Sequence, residues 1–230
     1  ERINNIIALE LTHQLLTSAD SSTLSLKGGG TASITCADGQ PLASASHTVA
    51  GTGATTYSNL LSGAGKLSEA NLSSLIQQGK ENNVSDAGTL MGFNPDMIIV
   101  PDNELMVRKA IELTGSNLVP ESNNNAINVY GGGRMKVAVL KYGATNSIGG
   151  YDTNQQYHYA VADSRQLKRA VKYSWALRPT EVGTGLVPKF RESNLDSTIY
   201  AAGRCVFGAP RWQGIFYSMS TTAPDVGSAA

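Results

Sequence analysis

The chain has no excess charge of either sign: eighteen Lys and Arg stand against eighteen Asp and Glu in 230 residues. That balance excludes a histone-like protein or a polyanion binder working through net charge, and leaves only local basic patches open. Charged residues are themselves scarce, at 16%, but 41% hydrophobic content excludes a chain disordered by composition. Cysteine is nearly absent. Cys36 and Cys205 cannot build a disulfide framework and neither belongs to a C-x-x-C pair, so two reduced, isolated thiols are expected. Nor does any apolar run approach the ~20 residues that cross a bilayer, so no membrane partner is expected. The chain opens on Glu1 without Met or a signal-like segment, so either a processed start or residues preceding Glu1 are expected.

Ser, Thr, Asn and Gly, by contrast, make up about a third of the chain, which implies many turns and a polar surface built from neutral groups. Ile3, Ile7, Leu11 and Leu15 recur at helical spacing over 1–18, with Leu9 and Leu16 on a second side. Residues 19–66 are rich in Gly, Ser and Thr, and are expected either to extend outward or to hold short strands. Leu67-Ser68-Glu69-Ala70-Asn71-Leu72 predicts a helix start with Ser68 as N-cap and Leu67 and Leu72 as a hydrophobic staple, ending at Asn82-Asn83.

Met97–Val100 predicts a buried strand closed by Pro101. A helix capped by Asp102 should follow, with Met106, Val107, Ala110, Ile111 and Leu113 inward, Lys109 outward and Gly115 as a left-handed stop. Strands are expected at 134–142, with Met135, Val137 and Val139 on one face, and at 157–162 and 171–177. Two more should span 198–219, broken at Ala209-Pro210. The fold class is therefore α+β, with a small mixed sheet in the middle of the chain.

Residues with the means for chemistry are few. Gly28-Gly29-Gly30 and Gly131-Gly132-Gly133 lack the Lys-Ser/Thr of a phosphate-binding loop. His13, His47 and His158 form no metal-ligand spacing. A triad of Asp38, His47 and Ser44 or Ser46 can be drawn, as can a thiol nucleophile at Cys36 or Cys205 beside His47, but no nucleophile-elbow motif supports either. No residue is therefore assigned a catalytic, cofactor-binding or metal-binding role, and no cofactor is expected. Arg165, Lys168, Arg169, Lys172 and Arg178 form the one acid-free basic stretch, read as a solvated strand and turn or as a contact with acidic loops of another subunit.

The order of several short motifs carries more weight than any one of them. Asp38-Gly39-Gln40-Pro41-Leu42-Ala43-Ser44-Ala45-Ser46-His47 resembles the D-G-x-x-L-F-S-x-x-H stretch of tailed-bacteriophage major capsid proteins, with Ala43 in place of the usual Phe. Asn59, the helix opening at Leu67-Ser68, and the run Asn94 to Leu105 around Val100-Pro101 follow in the family's order. Asn128, Tyr159-x-x-Ala162-Asp163 and Arg211-Trp212-Gln213-Gly214-Ile215-Phe216 complete it.

The resemblance implies the Hong Kong 97 phage-type capsid fold. Residues 1–20 would be the long helix of the peripheral domain, 21–85 an extended loop and second helix, and 86–195 the axial domain. Residues 196–220 would be strands returning to the peripheral domain, and 221–230 a tail. An N-terminal arm and part of the extended loop would precede Glu1, or 19–66 would serve that role. The function implied is a non-enzymatic major head protein of the virion, assembled in the host cytoplasm. Its partners would be its own copies in hexamers and pentamers, scaffolding, decoration and portal proteins, and weakly contacted double-stranded DNA. The alternatives are an encapsulin-like compartment shell, a secreted β-rich binding module and a hydrolase using Cys36 or Ser46.

Overall fold

The computed structural model describes residues 2–26, 29–115, 128–146, 149–181 and 201–226, and within these the side chains at 2–4, 173–181 and 201–207 lie outside the description. Helix α1 (Arg2–Thr12) runs directly into a π-helical segment, His13–Thr17. Its second side carries the burial: Leu9 and Leu16 are inside, whereas Ile7, Leu11 and Leu15 are only half-buried. Thr12, His13, Gln14 and Thr17 are buried as well, so a polar stripe of this helix faces protein rather than water.

The Gly/Ser/Thr-rich segment holds short strands, as one of its two expected forms required. β1 (Thr23–Ser25) pairs antiparallel with β2 (Thr31–Ser33), and β3 (His47–Thr48) with β4 (Thr56–Tyr57). Cys36, Leu42, Ala43 and Val49 bury their side chains in the main core, and Ile34 is buried as well. Helix α2 (Glu69–Asn82) begins as its sequence dictates: Ser68 Oγ accepts from the Asn71 N–H at 3.3 Å, and Leu67 and Leu72 are both fully buried.

β5 (Met97–Pro101) is the central strand of a mixed sheet whose order is β10-β7-β5-β6. It lies parallel to β6 (Lys136–Leu140) and antiparallel to β7 (Tyr159–Ala162), and β10 (Ile215–Ser218) joins β7 antiparallel. Four consecutive buried residues in β7, and four in β10, show that both faces of these strands are covered. Helix α3 (Glu104–Gly115) packs on β5 and β6, and α2 on β7 and β10. Thus β10, near the end of the chain, is hydrogen-bonded into the central sheet. The Tyr217 hydroxyl donates to Leu15 O at 2.8 Å, joining the last strand to the first helix.

Several local expectations are corrected. Asn103, not Asp102, caps α3: its Oδ1 accepts from the N–H groups of Leu105 and Met106, while the Asp102 N–H is spent on Leu140 O. Gly115 is the last helical residue and has no left-handed φ. Ile111 is exposed and Lys109 buried, because the face of α3 that meets the sheet is rotated from the arc its apolar residues define. Val139 is exposed, since β6 is an edge strand whose outer surface is not fully covered.

The basic stretch begins as a helix, α4 (Ser164–Ala170), rather than a strand and turn: Asp163 caps it by accepting from Arg165 N and Gln166 N. Strand follows in β8 (Lys172–Glu181), paired antiparallel with β9 (Ala201–Gly208) in a separate two-stranded ribbon. The side chains of the strand expected at 171–177 lie, from Tyr173 on, outside the described residues. Among the described residues no helix is long and apolar enough to cross a membrane.

Candidate functional site

Three of the motifs singled out by sequence order, Asp38 to His47, Asn59 and Arg211 to Phe216, meet at one buried node. A tight turn, Gly39 N–H to Cys36 O at 3.0 Å with Gly39 at φ 79°, presents the Asp38 carboxylate inward. Its Oδ1 accepts from Gln40 N, while Oδ2 accepts from His47 Nδ1 at 2.7 Å and from Thr48 N at 3.2 Å. Because a carboxylate only accepts, Nδ1 carries the imidazole proton. The His47 ring is fully buried and stacks on Trp212, with centroids 4.6 Å apart and planes 9° from parallel. Burial pulls the His47 pKa below its ordinary value, outweighing the hydrogen bond and charge of Asp38, so the ring is neutral at pH 7.

Asn59 is the second fastener. Fully buried, it donates from Nδ2 to Leu42 O at 2.7 Å and to Ile215 O at 3.2 Å, and accepts from Ser44 N at 2.8 Å. One side chain thereby ties the 42–44 loop to β10. Asn83, also fully buried, accepts from Gly214 N and donates to Gln166 Oε1, which ties the end of α2 to α4 and to the turn before β10. Gly214 is obligatory there: its φ is 87°, and a Cβ would lie 2.3 Å from the Gln166 Cβ. At the surface Arg211 pairs with Asp86 at 2.8 Å, and Gln213 Nε2 donates to the other Asp86 oxygen.

The hydrolase arrangement is half realised. Asp38 and His47 are joined, but His47 Nε2, the atom that would activate a hydroxyl, is buried without a hydrogen-bond partner. Ser44 Oγ lies 3.4 Å from Ser46 Oγ, and neither is bonded to the imidazole. Cys36 is a free, buried thiol whose pKa is pushed up to about 12, chiefly by burial, which leaves essentially no nucleophilic thiolate. Cys205's side chain lies outside the described residues. His13 and His158 sit elsewhere, the former bonded to Thr145 Oγ1 at 3.0 Å. Among the described residues no three of His, Cys, Asp and Glu are grouped to hold a metal.

A depression of about 430 Å³ opens beside the node, walled by Val49, Pro210 and Trp212 and floored by Asp38 and Gln213. A second, of about 270 Å³, lies across the Asp86–Arg211 pair and reaches Gln166 and Arg169 of α4. Sequence reasoning named Asp38, His47, Asn59 and Arg211-Trp212 as parts of an order, without the bonds that join them. Asn83 it read only as a helix stop; a second Asn just past a helix end was the available signal, and it had no partner in sequence. Compared with known proteins, this chain matches no protein-family model, no curated protein and no solved structure.

Proposed function

We propose that the chain is a shell-forming subunit, the major head protein of a tailed-phage-type icosahedral capsid of the Hong Kong 97 kind. One observation supports it above the rest. Asp38, His47, Asn59 and Trp212, drawn from three of the motifs that carry the resemblance, meet in a buried node whose hydrogen bonds and ring stacking hold loops and strands together. Residues serving such a node are those a structural subunit requires. A hydrolase would instead need a nucleophile at His47 Nε2 and a path to it. The α+β architecture and the neutral, Ser/Thr/Asn-rich surface suit a subunit that makes many adaptable contacts with its own copies.

The test is assembly. Expressed with a scaffolding partner, the full-length protein is expected to sediment as closed shells tens of nanometres across in electron micrographs. Loading by a packaging motor with double-stranded DNA distinguishes a phage head from an encapsulin-like compartment, which would carry protein instead. Monomers under every such condition, or hydrolysis of ester or amide substrates abolished by His47→Ala, would overturn the reading.

A further inference from the structure

The strand register sorts the surface charges to the two ends of the central sheet. Met97 pairs with Lys136 and with Ala162, so the start of β5, the start of β6 and the end of β7 share one end of the sheet. There α4 projects Arg165, Lys168 and Arg169, followed by Lys172, all exposed; Arg134 and Lys136 are exposed beside them. The carboxylates at this end are occupied. Asp163 caps α4, Asp96 holds the Ser164 hydroxyl and N–H, and Asp86 is paired with Arg211. Among the described residues no carboxylate lies within ion-pair distance of Arg165, Lys168, Arg169 or Lys172.

The opposite end carries the other sign. Pro101 closes β5 and is followed by exposed Asp102 and Glu104. Asp152 and Asp20 lie at the same end, since both act electrostatically on His158, the residue before β7. Lys141 and Arg108 are the cations nearby. The two ends are separated by the five residues of β5, about 15 Å of strand. The sequence balance agrees: without the five cations of 165–178, thirteen cations face eighteen acids in the remainder of a chain that is neutral overall.

We infer that the basic end of one copy docks on the acidic end of the next, a head-to-tail contact between different surfaces of identical chains. A second observation marks the basic end as a contact. The 270 Å³ depression beside α4 is lined by Gln213, a 6% exposed side chain whose buried Oε1 has no hydrogen-bond partner within the chain. A contact of this heterologous kind repeats and closes into rings, or runs on as filaments if the rotation does not close. Opposite charges steer the encounter and set its register, while like charges brought together oppose it. The inference rests on the self-assembly reading, and adds to it which surfaces meet.

Two charge-reversed variants of the full chain test it: Arg165→Glu/Lys168→Glu/Arg169→Glu, and Asp102→Lys/Glu104→Lys. All five positions are exposed, and circular dichroism and thermal melting check that each variant folds. Each alone is expected to raise the concentration needed for association on the order of a hundredfold. Mixing the two, or combining both reversals in one chain, restores association. Wild-type association also weakens as salt rises from about 0.1 M to about 1 M, where the screening length falls from about 10 Å to about 3 Å. Shells unaffected by either reversal overturn this contact and leave the shell reading standing. Small rings that never close into shells support the contact and overturn the shell. Loss of DNA retention in the basic-end variant with assembly intact overturns the contact in favour of a polyanion surface.

Discussion

His47, His13 and His158 are all buried, and burial holds each imidazole below its ordinary pKa of 6.5. The carboxylates that face them, Asp38 for His47, Asp152 for His13, and Asp20 and Asp152 for His158, oppose that shift without reversing it. A group whose folded pKa is depressed binds its proton more readily in the unfolded chain, so stability is present above pH 6.5 and is lost as pH falls below it. The unfolding free energy from urea titration should therefore drop between pH 7.5 and pH 5.5, by up to about 1.4 kcal/mol per pH unit for each histidine. A flat profile over that window would show the three rings to be solvated. Asn59 gives a sharper test at neutral pH. Asn59→Ala strands Ser44 N, Leu42 O and Ile215 O in the core, and a loss on the order of 3 kcal/mol is expected by denaturant unfolding. A loss under about 1 kcal/mol would mean that water replaces the amide.

Elements with their own start and stop signals were legible, and those that depend on a neighbour were not. Ser68, Leu67 and Leu72 specify the start of α2 within six residues, and the structure uses all three. The apolar run of β5 is equally self-contained. For α3 the sequence pointed to Asp102, and the helix starts one residue later: the Asp102 backbone is tied to Leu140 O at the end of β6, and the Asn103 side chain takes the first free N–H groups. Short α4 holds only Leu167 and Ala170 as apolar residues, too few for a period, so the alternation that follows at Val171 governed the reading. The Gly214 turn is the element-scale counterpart of Asn59. Gly214→Ala must adopt a left-handed φ and meet the Gln166 Cβ, so destabilisation of at least about 2 kcal/mol is expected, with Asn83 losing its bond to the turn. Soluble Gly214→Ala protein with an unchanged melting temperature would show that the turn relaxes freely.

At the scale of the whole molecule, the architecture is fixed by groups far apart in sequence. Local pattern finds the strands but not the order β10-β7-β5-β6, because no periodicity records which strand lies beside which. The order of short motifs did mark the residues of the node, and the physical reason is now visible: Asp38 and His47 close one loop, Asn59 fastens that loop to β10, and Trp212 covers the pair. If this node couples the N-terminal segment to the sheet, truncating Trp212 should do more than leave a hole. A buried aromatic truncation costs on the order of 3–5 kcal/mol, and the stacked partner adds a coupling of about 0.5–1.5 kcal/mol beyond area. His47→Ala and Trp212→Ala should therefore be non-additive in a double-mutant cycle, with the double variant losing less than the two single losses together. Hydrogen exchange distinguishes coupling from simple packing. In the native protein, amides of the node and of β10 should exchange at the global unfolding rate, as parts of one cooperative unit. In Trp212→Ala, amides near Ala43 and His47 should exchange faster while those of β5 and β7 remain slow. Equal acceleration throughout would mean that the node contributes stability alone, and that the 34–61 segment is held to the sheet by its apolar contacts rather than by the polar fastening that its sequence motifs encode.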